Sequence, residues 1–172
     1  VFGFGYFISN LYWITNSLTF DENFKFIIPF ALILIPLFLG IFYGLVTFLS
    51  NLFNLRNKIS SILIFSIIFG GIEFLRSFIF GGFPWNLLVF SLSTNLHSLQ
   101  ILSYIGTYSL NLLSITIFLL PIIFFFNYKN PVKIFILSFG LILVLTNLFC
   151  GNLNIKNFEK IKDDNLNSVI RV

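Results

Sequence analysis

Glu73 and Arg76 sit inside a long apolar run and are three residues apart. On a helix that spacing puts both on one face, where opposite charges can pair. An ionisable side chain at membrane depth is costly and is kept where it pairs or works. At 1.5 Å per residue, Glu73 lies about 21 Å and Arg76 about 25 Å beyond Ile59, where the run begins. Two readings stay open: an ion pair that fastens the helix to the following loop, or direct contact with substrate. In the second, the Arg76 guanidinium could meet a lipid phosphate. The loop contains Gly82-Phe83-Pro84-Trp85, which combines a flexible point, a fixed φ and an interfacial ring. Trp85 is either an aromatic anchor at the membrane surface, or part of a shaped loop that admits a lipid head or acyl chain.

Other reactive residue types carry less. His97 follows the same loop, with no Cys, Asp or Glu nearby to complete a metal site. Cys150 ends an apolar run without a His or Lys close by in sequence, so it reads as a small hydrophobe, not a nucleophile. Gly3-Phe4-Gly5 lacks the third glycine and the preceding strand of a dinucleotide fingerprint, and reads as helix packing. No phosphate-binding loop, zinc spacing or serine-hydrolase elbow occurs, and no metal or cofactor is expected. Scattered basic residues give nucleic-acid binding no support.

The elements that must position these residues follow from composition. Only 9% of the 172 residues are charged, against about 25% in soluble domains. Hydrophobic residues make up 58%, Phe alone fills 26 positions, and mean hydropathy is +0.99. Disordered, collagenous, coiled-coil and disulfide-scaffold classes are excluded, and a polytopic all-α membrane bundle remains. A crossing needs about 20 apolar residues. Five spans are predicted, near 1–18, 27–50, 59–80, 99–126 and 132–150, with a re-entrant or interfacial loop over 81–98.

Orientation comes from basic residues in the short loops. Arg56 and Lys58 mark 51–58, and Lys129 and Lys133 mark 127–133, whereas the opposite loops contribute only Lys25. Loops 51–58 and 127–133 are therefore assigned to the cytoplasm, and the tail after Cys150 to the outer face. Residues 151–172 turn polar and then close on Ser168-Val169-Ile170-Arg171-Val172, which reads as a linker and the first strand of an outer-face domain. With no Met at position 1 or elsewhere, we expect an internal piece of a longer protein.

Four stretches carry a family resemblance. Glu73-Phe74-Leu75-Arg76, continuing to Gly81-Gly82-Phe83-Pro84-Trp85, resembles the Glu-Trp-Leu-Arg…Thr-Gly-Phe-Pro-Trp signature of bacterial apolipoprotein N-acyltransferases. Gly3-Phe4-Gly5-Tyr6-Phe7 with Leu11-Tyr12-Trp13-Ile14 resembles the family's Gly-Phe-Gly-x-Phe…Gly-Leu-Tyr-Trp helix. Gln100-Ile101 with Gly106-Thr107-Tyr108-Ser109-Leu110-Asn111 resembles a third segment, and the final residues resemble the first strand of the family's nitrilase-like domain. Departures are Phe74 for the usual Trp, Gly81 for the usual Thr, and Ser9-Asn10 where the family has a small Gly.

The resemblance implies the membrane part of an inner-membrane enzyme with a periplasmic nitrilase-like domain. In that family a Cys thiolate takes an acyl chain from a phospholipid as a thioester. It passes the chain to the amino group of a diacylglyceryl-cysteine at an apolipoprotein N-terminus, with a Glu as base and a Lys stabilising the oxyanion. All three would lie beyond Val172, so residues 1–172 alone are expected to be inactive. Gly82 and Trp85 inherit a substrate-binding role, while Glu73 and Arg76 are expected from their spacing to form a structural ion pair. The expected partners are a phospholipid donor, a diacylglyceryl apolipoprotein acceptor and the lipid bilayer, with no nucleic acid. The other reading is a non-enzymatic small polytopic membrane protein, such as a transporter subunit or assembly factor, with Glu73, Arg76 and the broken loop lining a pathway.

Overall fold

The structure, a computed structural model, describes residues 1–55, 58–82, 84, 86–93 and 95–169, and the side chains of all of these except 159 and 162–169. The described residues are helical, in turns or in short irregular connections, and contain no strand. They form two compact units, Val1–Leu87 and Leu88–Val172.

In the first unit, α1 (Phe2–Leu11) passes into a 3-10 stretch, Tyr12–Thr19, and a second one, Glu22–Ile27, leads into α2 (Ile28–Leu52). A proline in the first turn of α2 suits a position whose N–H has no helical partner. After a short connection α3 runs Ile59–Ile79. Phe7, Leu11, Leu39 and Tyr43 form the buried core, with Tyr6, Phe69 and Phe80 packed against it. The α1–α2 approach depends on Gly3. A Cβ there would stand 2.9 Å from Tyr43 Cβ and 3.1 Å from Gly40 Cα, so any side chain would push the helices apart.

In the second unit, a 3-10 turn (Leu88–Leu92) precedes α4 (Leu96–Leu99) and α5 (Leu102–Ile105). Next come α6 (Thr107–Leu119), a 3-10 extension Leu120–Phe125, and α7 (Asn130–Val169). Asn111 of α6 accepts from the Val89 backbone N–H at 3.0 Å and ties the helix to the turn before it. Asn147 of α7 donates to the Ser98 carbonyl at 3.2 Å, joining α7 to α4.

Among the described residues, four helical stretches are long and apolar enough to cross a membrane: Glu22–Leu52, Ile59–Ile79, Thr107–Phe125 and Asn130–Phe158. They match four of the five expected spans, with shifted ends. The expected span at 1–18 is instead a ten-residue α-helix continued by eight residues of 3-10 helix. Thr15, Ser17 and Thr19 each donate a hydroxyl to the carbonyl three residues earlier, at 2.6–2.7 Å. Hydroxyls that bond the local backbone compete with the regular α-helical ladder. The span expected at 99–126 begins at Thr107 because Gly106 holds φ +76, outside the helical region.

Residues 151–169, expected as linker and opening strand, continue α7 without interruption. No Gly or Pro occurs from 152 to 169 to stop the helix. At 40 residues α7 is about 60 Å long, twice the thickness of a hydrocarbon core of about 30 Å. Ile170-Arg171-Val172, the rest of the expected strand, lies outside the described residues.

Candidate functional site

The last two turns of α3 bring the charged pair to the turn that follows. Glu73 and Arg76 are both fully buried, with Arg76 Nη2 3.9 Å from Glu73 Oε1. The other two helices of the unit complete the surroundings. Tyr43 of α2 donates its hydroxyl to Glu73 Oε1 at 3.2 Å, and the Phe7 ring of α1 lies 5.0 Å from the Arg76 guanidinium carbon. Stacking of a guanidinium on an aromatic face offsets part of the cost of taking the charge out of water. Three helices therefore converge on one ion pair.

Glycine chemistry ends α3. Gly82 N–H donates to the Ser77 carbonyl at 2.9 Å and Gly81 N–H to the Phe78 carbonyl at 3.3 Å. This is a Schellman closure, whose first residue beyond the cap must adopt positive φ. Gly81 has φ +72 and Gly82 φ +85, a backbone strained for other residues. The loop's far end is fixed from α1, where Tyr6 donates its hydroxyl to the Asn86 carbonyl at 3.2 Å. Asn86 itself takes φ +49, a region in which Asn is enriched. Beside the turn runs an apolar groove of about 350 Å³, lined by Leu34, Ile35, Phe38, Leu39 and Phe80.

Of the residues singled out from sequence, Glu73, Arg76 and Gly82 thus occupy one end of α3. Trp85 lies outside the described residues, as does Phe83. The exposed Cys150 and the half-buried His97 fall in the other unit. That unit holds a cavity of about 260 Å³ between apolar walls such as Leu110 and Leu143, with Ser98, Ser114 and Asn147 among its polar residues and no charged residue lining it. Among the described residues no group of three or more His, Cys, Asp or Glu could hold a metal ion.

Sequence reasoning missed Tyr43, Phe7 and Tyr6. Tyr43 lies 30 residues from Glu73, and Tyr6 lies 80 from Asn86. The available signal was the small residue Gly3, which allows α1 and α2 to approach closely at Tyr43.

Comparison with known proteins identifies the family. The profile of the apolipoprotein N-acyltransferase N-terminal domain matches residues 1–120. An apolipoprotein N-acyltransferase of Brucella melitensis is 36% identical over 121 residues, covering 70% of this chain and 23% of that protein. One from Rhizobium rhizogenes is 34% identical over 122 residues, with 70% and 23% coverage. One from Allorhizobium ampelinum is 30% identical over 154 residues, with 89% and 28% coverage. The chain thus spans about a quarter of the length of these curated relatives. No solved structure matches it. The matches do not favour the reading as a small transporter subunit. With the family profile covering residues 1–120, including the α3 pair and the turn after it, this multi-pass bacterial membrane chain belongs to the apolipoprotein N-acyltransferase family.

Proposed function

We propose that this chain is the membrane part of an enzyme that moves one acyl chain from a phospholipid to the N-terminal diacylglyceryl-cysteine of apolipoproteins. The donor ester breaks and a thioester forms on a Cys beyond Val172, releasing a lysophospholipid. The acceptor amine then attacks the thioester, forming an amide and freeing the thiol. The membrane part supplies no nucleophile. It holds the donor lipid, with Gly82 and Trp85 at the headgroup-level loop and the groove of Leu34, Phe38 and Phe80 offering an apolar wall for an acyl chain. Glu73 and Arg76 fix the end of α3 from which this loop departs.

The observation that carries the proposal is the convergence of family membership with geometry. The signature positions Glu73, Arg76 and Gly82 gather at the end of one helix, beside an apolar groove. In this proposal the protein lies in the bacterial inner membrane, α7 leads outward to the periplasm, and a nitrilase-like domain follows. The test is acyl transfer in vitro from a phospholipid with an isotope-labelled chain to a diacylglyceryl-cysteine lipopeptide. The intact parent protein should add one labelled chain to the lipopeptide amine, and residues 1–172 alone should add none. No transfer by the parent, or transfer by residues 1–172, would overturn the proposal.

A further inference from the structure

Gly81 and Gly82, where the loop after α3 begins, and Asn86, where it ends, are each fastened, and the two fastenings are linked to each other. The loop's entry is closed on α3 by the Gly82–Ser77 and Gly81–Phe78 backbone bonds. Its exit is held only 3.2 Å from the Tyr6 hydroxyl, through the Asn86 carbonyl. Tyr6 is in turn set by its neighbours in the aromatic cluster. Its ring centroid lies 5.6 Å from that of Tyr43 and 5.3 Å from that of Phe7, the latter edge-to-face. Tyr43 is fastened through its own hydroxyl to Glu73. A path therefore runs from Glu73 through Tyr43 and Tyr6 to Asn86, bypassing the loop backbone.

We propose that Tyr6 is a positioning residue: its hydroxyl sets the exit of the 81–86 loop, and thereby the affinity for the phospholipid donor. This rests on the reading of that loop as the donor-lipid site. Tyr6→Phe keeps the ring and its packing and removes only the donor. One net hydrogen bond is worth about a fivefold shift in the equilibrium between held and released loop.

Two readouts separate the anchor from the substrate reading. The chain has two tryptophans, so Trp13→Phe leaves Trp85 as the sole reporter in the loop. In vesicles of phosphatidylethanolamine and phosphatidylglycerol, Tyr6→Phe on that background should lower Trp85 fluorescence anisotropy and raise its quenching by acrylamide. In the intact acyltransferase, Tyr6→Phe should raise KM for the phospholipid about fivefold with kcat unchanged, the signature of lost ground-state binding. Tyr43→Phe should shift both readouts in the same direction. Tyr104→Phe, which alters an exposed hydroxyl of the second unit, should shift neither. Unchanged Trp85 fluorescence in Tyr6→Phe would overturn the proposal outright. A loosened loop with unchanged KM would overturn the donor-lipid reading of the loop and leave Tyr6 as its anchor.

Discussion

At the scale of the residue, the Glu73–Arg76 pair invites a direct energetic test. Removing one partner of a buried pair leaves an uncompensated charge, a loss of about 3–5 kcal/mol, whereas replacing both with apolar groups is often far milder. Thermal unfolding of the detergent-solubilised protein should therefore show large losses for Glu73→Leu and for Arg76→Leu. The double variant should lose markedly less than the sum of the two, and strict additivity would mean that the groups are energetically independent. The three-residue spacing made the pairing legible in the sequence, because α-helical geometry alone puts such residues on one face. The aromatic surroundings were not legible. Tyr43 and Phe7 reach the pair from two other helices, and nothing local to Glu73-Phe74-Leu75-Arg76 reports which distant rings will arrive.

At the scale of the element, small residues decide how closely helices meet. Gly3 faces Tyr43 and Gly40 at distances that exclude a side chain, whereas a Cβ on Gly5 would meet nothing within 4 Å. Gly3→Leu should lower the unfolding temperature and weaken Tyr43 contact with Glu73, and Gly5→Leu should be close to silent. Equal effects of the two would contradict the α1–α2 packing. The helix at 59–80 was read from sequence to within one residue of its observed end, Ile79, because an apolar run stops at two glycines. The first and last elements were harder. Apolar content cannot distinguish an α-helix from a 3-10 stretch whose Thr and Ser hydroxyls bond the backbone. Strand character in Ser168-Val169-Ile170 likewise gave no sign that α7 would run through Val169.

At the scale of the whole molecule, hydropathy made a multi-pass membrane chain legible before any coordinates, and the distribution of Lys and Arg supplied an expectation of its orientation. What composition could not supply was the chemistry. That came from the signature around Glu73, Arg76 and Gly82, and from the family profile over residues 1–120. The proposed orientation has a simple check in the single, exposed Cys150, which lies about 30 Å along α7 from Asn130. A membrane-impermeant maleimide should label it in intact spheroplasts. A cysteine placed at Lys129 in a Cys150→Ser background should label only after permeabilisation. The reverse pattern would invert the topology and put the tail on the wrong side for a periplasmic domain.

The most direct test of the membrane-part-of-an-acyltransferase reading is the mass of a lipoprotein's N-terminal peptide from cells lacking the parent gene. The terminal cysteine is expected to keep its diacylglyceryl group with a free amine. The third acyl chain should return when the parent protein is restored, and stay absent when only residues 1–172 are supplied. Lipoproteins that remain fully N-acylated in the deletion strain would contradict that reading.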